Sequence, residues 1–130
     1  MENNNNLKNI LLCDDNVLNR KLIAAMITGL PHSFMEAANG RESLARVLSD
    51  HDSIDLVLLD IGMKDFSGIE VCRAIRRSEQ DRKRPLPIIA YTAHAMVNDR
   101  AKYFAVGFND ILTKPTMRED LFEILRKYVS

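Results

Sequence analysis

The chain has 130 residues, 46% hydrophobic and 28% charged, proportions that fit one compact globular domain and exclude a disordered, collagen-like or fibrous chain. Lys plus Arg and Asp plus Glu balance at 18 each, so no bulk field draws the chain to nucleic acid or to an anionic membrane. The longest apolar run, Ile54 to Leu59, is broken by Asp55 and falls far short of the ~20 residues that span a bilayer.

Residues 1–8 are polar, with no basic cluster leading into an apolar stretch, and are expected to form a loose tail rather than a secretory leader. A first strand is expected over Asn9 to Cys13, ending in Asp14-Asp15. Asn16 then caps a helix whose Leu18, Leu22, Ile23, Met26, Ile27 and Leu30 recur at helical spacing, with Gly29 at its exit. A second strand is expected over Ser33 to Ala37, followed by Asn39 and Glu42 at capping-box spacing and by Leu44, Val47 and Leu48 on a helix face. The third strand, Asp55 to Leu59, runs into Asp60, and Ser67 with Glu70 opens the next helix. The basic, proline-punctuated run from Arg82 to Pro87 reads as a solvated connection into a fourth strand, Pro87 to Tyr91, which ends at Thr92. A helix leaving at Gly107 leads to a short fifth strand, Asp110 to Thr113, and Lys114. Thr116 with Glu119 then starts a helix carrying Leu121, Ile124, Leu125 and Tyr128. This alternation predicts an α/β fold of five βα units around a mostly parallel sheet over residues 9–130. The only cysteines, Cys13 and Cys72, each fall in an apolar run, as reduced buried thiols do.

In such a sheet ligands bind beyond the carboxyl ends of the strands. There the first strand delivers Asp14 and Asp15, the third Asp60, the fourth Thr92 and the fifth Lys114. Three neighbouring carboxylates repel one another, and a cation relieves the conflict. Magnesium, a hard ion usually held by one or two carboxylates together with phosphate oxygens, suits Asp15 and Asp60. Lys114 and the Thr92 hydroxyl are placed to meet further anionic oxygens. The set suits phosphoryl transfer, with Asp60 as the carboxylate nucleophile that becomes an aspartyl phosphate.

From Asn9 to Val129 the chain resembles the bacterial response-regulator receiver family. The acidic pair appears as Asp14-Asp15, the phosphoacceptor segment as Leu59-Asp60-Ile61-Gly62-Met63, the hydroxyl site as Thr92-Ala93 and the lysine as Lys114-Pro115. Asp14-Asp15-Asn16 followed by Asn19-Arg20, and Thr92-Ala93-His94-Ala95-Met96, are similar to the receivers attached to hybrid sensor kinases. The resemblance implies a flavodoxin-like, doubly wound (βα)5 fold with a five-stranded parallel sheet in order 2-1-3-4-5. It implies magnesium or manganese bound by Asp15, Asp60 and the Gly62 backbone carbonyl, with Asp14 holding a metal-bound water. It further implies a cis peptide between Lys114 and Pro115, and a cytoplasmic phosphoacceptor that assists its own phosphorylation and dephosphorylation. The donor would be a phosphohistidine on a sensor histidine kinase or histidine phosphotransfer protein, and the output altered contacts with a downstream protein. No nucleic-acid or membrane partner is implied.

Three positions depart from the family pattern. Lys64 stands where proline is usual, which predicts a more mobile loop after Asp60. Gly62 brings no side chain to the phosphoryl group. Ile111, three residues before Lys114, replaces the usual aromatic switch, and strand alternation points Tyr91 away from Thr92. The main alternative is a pseudo-receiver recognised regardless of phosphorylation, against which the intact Asp14, Asp15, Asp60, Thr92 and Lys114 set argues. A metal-dependent phosphohydrolase would need a second acid at position 62, and a flavodoxin-like cofactor carrier would need a Ser/Thr/Gly-rich loop after the first strand. Asp65 is expected to be solvated and His94 to lie on an exposed loop. His32 and His51 are too isolated for a zinc site.

Overall fold

The short apolar runs form the strands β1 (Lys8–Cys13), β2 (His32–Ala37), β3 (Leu56–Asp60), β4 (Ile88–Thr92) and β5 (Asp110–Thr113) of a computed structural model that describes residues 7–80 and 84–129. They make one sheet in the order β2-β1-β3-β4-β5, parallel at every pairing, as the resemblance implied. Between them run α1 (Val17–Ile27), α2 (Gly40–Asp50), α3 (Gly68–Ser78), α4 (Val97–Val106) and α5 (Arg118–Val129), with one 3-10 turn at His51–Ser53. Every residue of β3 and β4 is buried, the reason these central strands read as unbroken apolar runs.

Side-chain alternation divides the core. Leu11, Val57, Leu59, Ala90 and Ile111 face Val47, Val71, Ile75 and Tyr103 on one side of the sheet. Leu12, Leu58, Ile89, Tyr91 and Leu112 face Ile23, Ile27, Leu121 and Ile124 on the other. Cys13 and Cys72 are free thiols in the first of these layers. Burial is the main reason the Cys13 thiol is pushed up to about 12 and that of Cys72 to about 11.

Asn16 and Asn39 accept hydrogen bonds from Asn19 N and Glu42 N, and Ser67 with Glu70 forms a complete capping box. Gly29 and Gly107 have positive φ at the exits of α1 and α4. The expected Thr116–Glu119 box does not form: α5 begins at Arg118, so Thr116 lies one residue too early to cap it, and its hydroxyl is buried without a hydrogen-bond partner. Asp60 and Thr92 are the last residues of β3 and β4 rather than the first beyond them. Leu18, Leu22 and Leu48, expected against the sheet, are exposed, because the apolar arc of each helix is wider than the stripe one sheet face can cover. The connection expected to be solvated carries the fully buried Leu86, while its residues 82 and 83, like residues 1–6, lie outside the described residues. Among the described residues no helix is long and apolar enough to cross a membrane.

Candidate functional site

The carboxyl end of β1 continues into Asp14, whose N–H donates to the Ala37 carbonyl at 3.1 Å and so extends the pairing with β2. This carboxylate is 2% exposed. Its Oδ1 accepts from Asn16 N at 2.8 Å, and its Oδ2 has no hydrogen-bond partner although the Lys114 ammonium lies 3.3 Å away. Arg20, to which the spacing assigned no role, donates to the Asp14 carbonyl at 2.6 Å and pairs with Glu36 at 2.8 Å. It braces the turn between the two acids.

Asp60 ends β3 and is 5% exposed. Its Oδ1 accepts from Gly62 N at 3.1 Å and from Lys114 Nζ at 3.0 Å. The backbone leaves this strand tightly, since a Cβ on Gly68 would lie 2.4 Å from the Asp60 carbonyl oxygen. Only glycine lets α3 start so close beneath the acid, and the sequence pattern did not single it out. Lys114 follows β5, its N–H bonded to the Thr92 carbonyl at 2.8 Å, and the Lys114–Pro115 peptide is cis. Its ammonium reaches Asp60 and Asp14 and sits 4.7 Å from the centroid of the Tyr91 ring. Thr92 Oγ1 accepts from His94 N at 3.0 Å, which uses a lone pair and leaves its hydrogen to donate. His94 is exposed, as expected.

One oxygen each from Asp14, Asp15 and Asp60 lie within 4.8 Å of one another. Burial pushes the Asp60 carboxyl up, and the opposing pull of Gly62 N–H and Lys114 does not cancel it. Burial also works against the Lys114 ammonium, but its hydrogen bond and attraction to Asp60 hold it above the ordinary lysine range. One ammonium against three carboxylates leaves negative charge and an unbonded buried oxygen. Hard oxygen donors in this arrangement fit a divalent cation such as magnesium. Gly62 lies on the same rim, exposed, and a Cβ there would meet Asp60 Oδ1 at 3.9 Å, an ordinary contact. No cluster of this kind forms around the histidines among the described residues, and His51 instead pairs with Glu79 at 2.6 Å. Asp65 is exposed, yet its carboxylate is bonded rather than merely solvated, accepting from Gly40 N and Arg41 N.

The sequence pattern of the response regulator receiver domain matches residues 10–126. This chain belongs to that family. Receivers are phosphoacceptor domains of two-component signalling, and this one groups with those of hybrid kinases. It is 36% identical over 126 residues to hybrid signal transduction histidine kinase L of Dictyostelium discoideum, covering 94% of this chain and 7% of that protein. The receiver thus spans less than a tenth of that relative. The receiver domain of sensor histidine kinase PA1611 from Pseudomonas aeruginosa, solved with a magnesium ion coordinated in its active-site cleft, is 33% identical with a TM-score of 0.79, covering 94% of this chain and 97% of that one. The receiver domain of the Saccharomyces cerevisiae regulator Ssk1, solved with the histidine phosphotransfer protein Ypd1, gives 28% identity and a TM-score of 0.85, covering 94% and 88%.

Proposed function

We propose that this receiver takes a phosphoryl group from a partner phosphohistidine onto Asp60. The observation that carries the reading is the Lys114 ammonium shared between Asp60 and Asp14, 3.0 and 3.3 Å away, inside a cluster of three acids. Both described hydrogen bonds to the Asp60 carboxylate fall on Oδ1, which leaves Oδ2 as the nucleophile. As Oδ2 bonds to phosphorus, the nitrogen–phosphorus bond of the donor breaks and its electron pair leaves on the imidazole. Lys114 stays on Asp60 Oδ1 and offsets charge on the transferred group, while Thr92 turns its free hydroxyl hydrogen to a phosphoryl oxygen. Magnesium or manganese held by Asp15, Asp60 and the Gly62 carbonyl, with Asp14 behind it, would neutralise further phosphoryl charge. The chain's own residues thereby assist both transfer and the later loss of the group to water.

A protein donor is supported by the surroundings of the cluster. Val17, Leu18 and Leu22 on α1 and Met117 after Lys114 are all exposed, giving a histidine kinase or histidine phosphotransfer protein an apolar rim to dock on. The balanced charge supplies no comparable feature for nucleic acid. Incubation with magnesium and a small phosphoryl donor is expected to add one phosphoryl group by mass spectrometry and none to Asp60→Asn. Asp15→Ala is expected to abolish metal binding and labelling together. Equal labelling of Asp60→Asn would overturn the assignment, and an unlabelled native chain would favour the pseudo-receiver.

A further inference from the structure

The seven residues between β3 and α3, 61–67, carry the segment next to the phosphoacceptor. Ile61 N and Gly68 N bond to the Tyr91 and Ile61 carbonyls at 3.3 and 3.1 Å and fix the two ends of this loop. Met63 is buried and Phe66 packs partly on the core, whereas Lys64 and Asp65 are exposed. Asp65 nevertheless reaches across to α2, where Oδ1 accepts from Gly40 N at 2.8 Å and Oδ2 from Arg41 N at 3.1 Å. These are two of the donors that a helix leaves unpaired in its first turn, and a carboxylate is well placed at that positive end. The Gly40 N–H is the foremost reason that the Asp65 carboxyl is held below the usual range.

The helix has a cap of its own. Asn39 Oδ1 accepts from Glu42 N at 2.7 Å, so what Asp65 adds is a tie between two segments 25 residues apart. Their backbones touch at that tie: a Cβ on Gly40 would lie 2.1 Å from the Phe66 carbonyl oxygen. Asp65, Asn39, Lys64 and Asp15 also line one cleft of about 500 Å³, which puts the tie on the same open space as an acid of the metal cluster. Gly62, whose N–H holds Asp60 Oδ1, is three residues upstream.

We propose that Asp65 is a positioning residue for the phosphoacceptor site: by anchoring the 61–67 loop to the first turn of α2 it holds Gly62 and Asp60 in register for the metal ion and the phosphoryl group. The inference rests on the reading of Asp60 given above. Linkage makes it reciprocal, so an ion that orders the loop also tightens the start of α2.

The test is a titration of the whole chain with magnesium, and then with magnesium and beryllofluoride, followed by amide NMR and paired with thermal melts. The native chain, Asp65→Ala, Asp65→Asn and Asn39→Ala are compared. Asp65→Ala and Asn39→Ala each remove a cap and are expected to lower Tm by similar amounts. Only Asp65→Ala should weaken magnesium binding, by roughly tenfold, the low end for residues that orient metal ligands. Asp65→Asn keeps one acceptor oxygen and should fall between, which preserves the test should Asp65→Ala fail to fold. The Gly40 and Arg41 amides should respond to magnesium in the native chain and not in Asp65→Ala. Native affinity in Asp65→Ala, or equal weakening in Asn39→Ala, would overturn the inference alone. A native chain that binds neither ion would overturn the Asp60 reading, and this inference with it.

Discussion

A buried carboxylate at the tip of a central strand is costly, and the site accepts that cost at Asp60. Burial is the main cause of its raised pKa, so near neutral pH the folded state opposes the charge that the unfolded chain carries freely. The penalty is present above the folded pKa and is relieved as pH falls through that value toward the unfolded one. Asp60→Asn is therefore expected to raise the Tm of the metal-free protein. A relief of about 1 kcal/mol corresponds to roughly 3–6 °C in a domain of this size. Magnesium should raise the native Tm but not that of the variant, and differential scanning calorimetry in chelator and in magnesium reads both effects. Asp14, Asp15, Asp60, Thr92 and Lys114 were legible in the sequence because each stands at a strand end, where a short apolar run stops. The roles of Arg20, read only as part of a motif, of Gly68 and of Asp65, expected to be solvated, were not. Their parts depend on a carbonyl, a close backbone approach and a helix start contributed by other segments, and no local period records such contacts.

The contacts from the site to α4 run through the backbone of one residue, His94. Thr92 Oγ1 holds the His94 N–H, and the Tyr103 hydroxyl on α4 donates to the His94 carbonyl at 3.0 Å. Ile111 is 8% exposed and packs in the same layer as Tyr103 and Phe108. It has no hydroxyl to exchange between two positions. Turning the Thr92 hydroxyl hydrogen to a phosphoryl oxygen moves the oxygen that holds the His94 N–H, and Tyr103 is the side chain expected to carry that disturbance to α4. Beryllofluoride with magnesium is expected to shift the amides of His94 and Tyr103 in the native chain and to leave α4 quiet in Tyr103→Phe, which should also lose about 1 kcal/mol of stability. Equal α4 shifts in both proteins would exclude the route. At this scale element type and order were readable from alternating periods, and the errors have geometric causes. The cap expected at Thr116 misses α5 by one residue, and α1 carries more apolar surface than the sheet can accept.

The strand order of the whole molecule came from family resemblance, since periodicity shows which segments are strands but not which are neighbours. That order sends the acids to one pole and a second polar network to the other. Below the amino ends of β4 and β5, Glu79 receives His51 at 2.6 Å, Arg76 at 2.7 Å and Leu86 N at 2.9 Å, while Arg76 also bonds Gly107 O and Asn109 Oδ1. Burial pushes the Glu79 carboxyl up, but Leu86 N–H, His51 and Arg76 together hold it below the ordinary glutamate range. Its contribution is thus fully present above the unfolded pKa and is lost as pH falls through the lower folded value. Glu79→Ala is expected to cost about 3–5 kcal/mol, and Glu79→Gln to flatten the acid limb of stability, as urea titrations from pH 6 to pH 3 would report. The two core thiols give this architecture a built-in clock. Only a thiolate attacks an alkylating reagent, and with both groups buried and shifted to about 12 and 11 neither is reactive in the closed form. Each labelling event therefore counts an opening of the layer both thiols share: Cys13, beside Ser43, times the lifting of α2, and Cys72 that of α3, so one reagent and a mass spectrometer resolve which of the two helices loosens first.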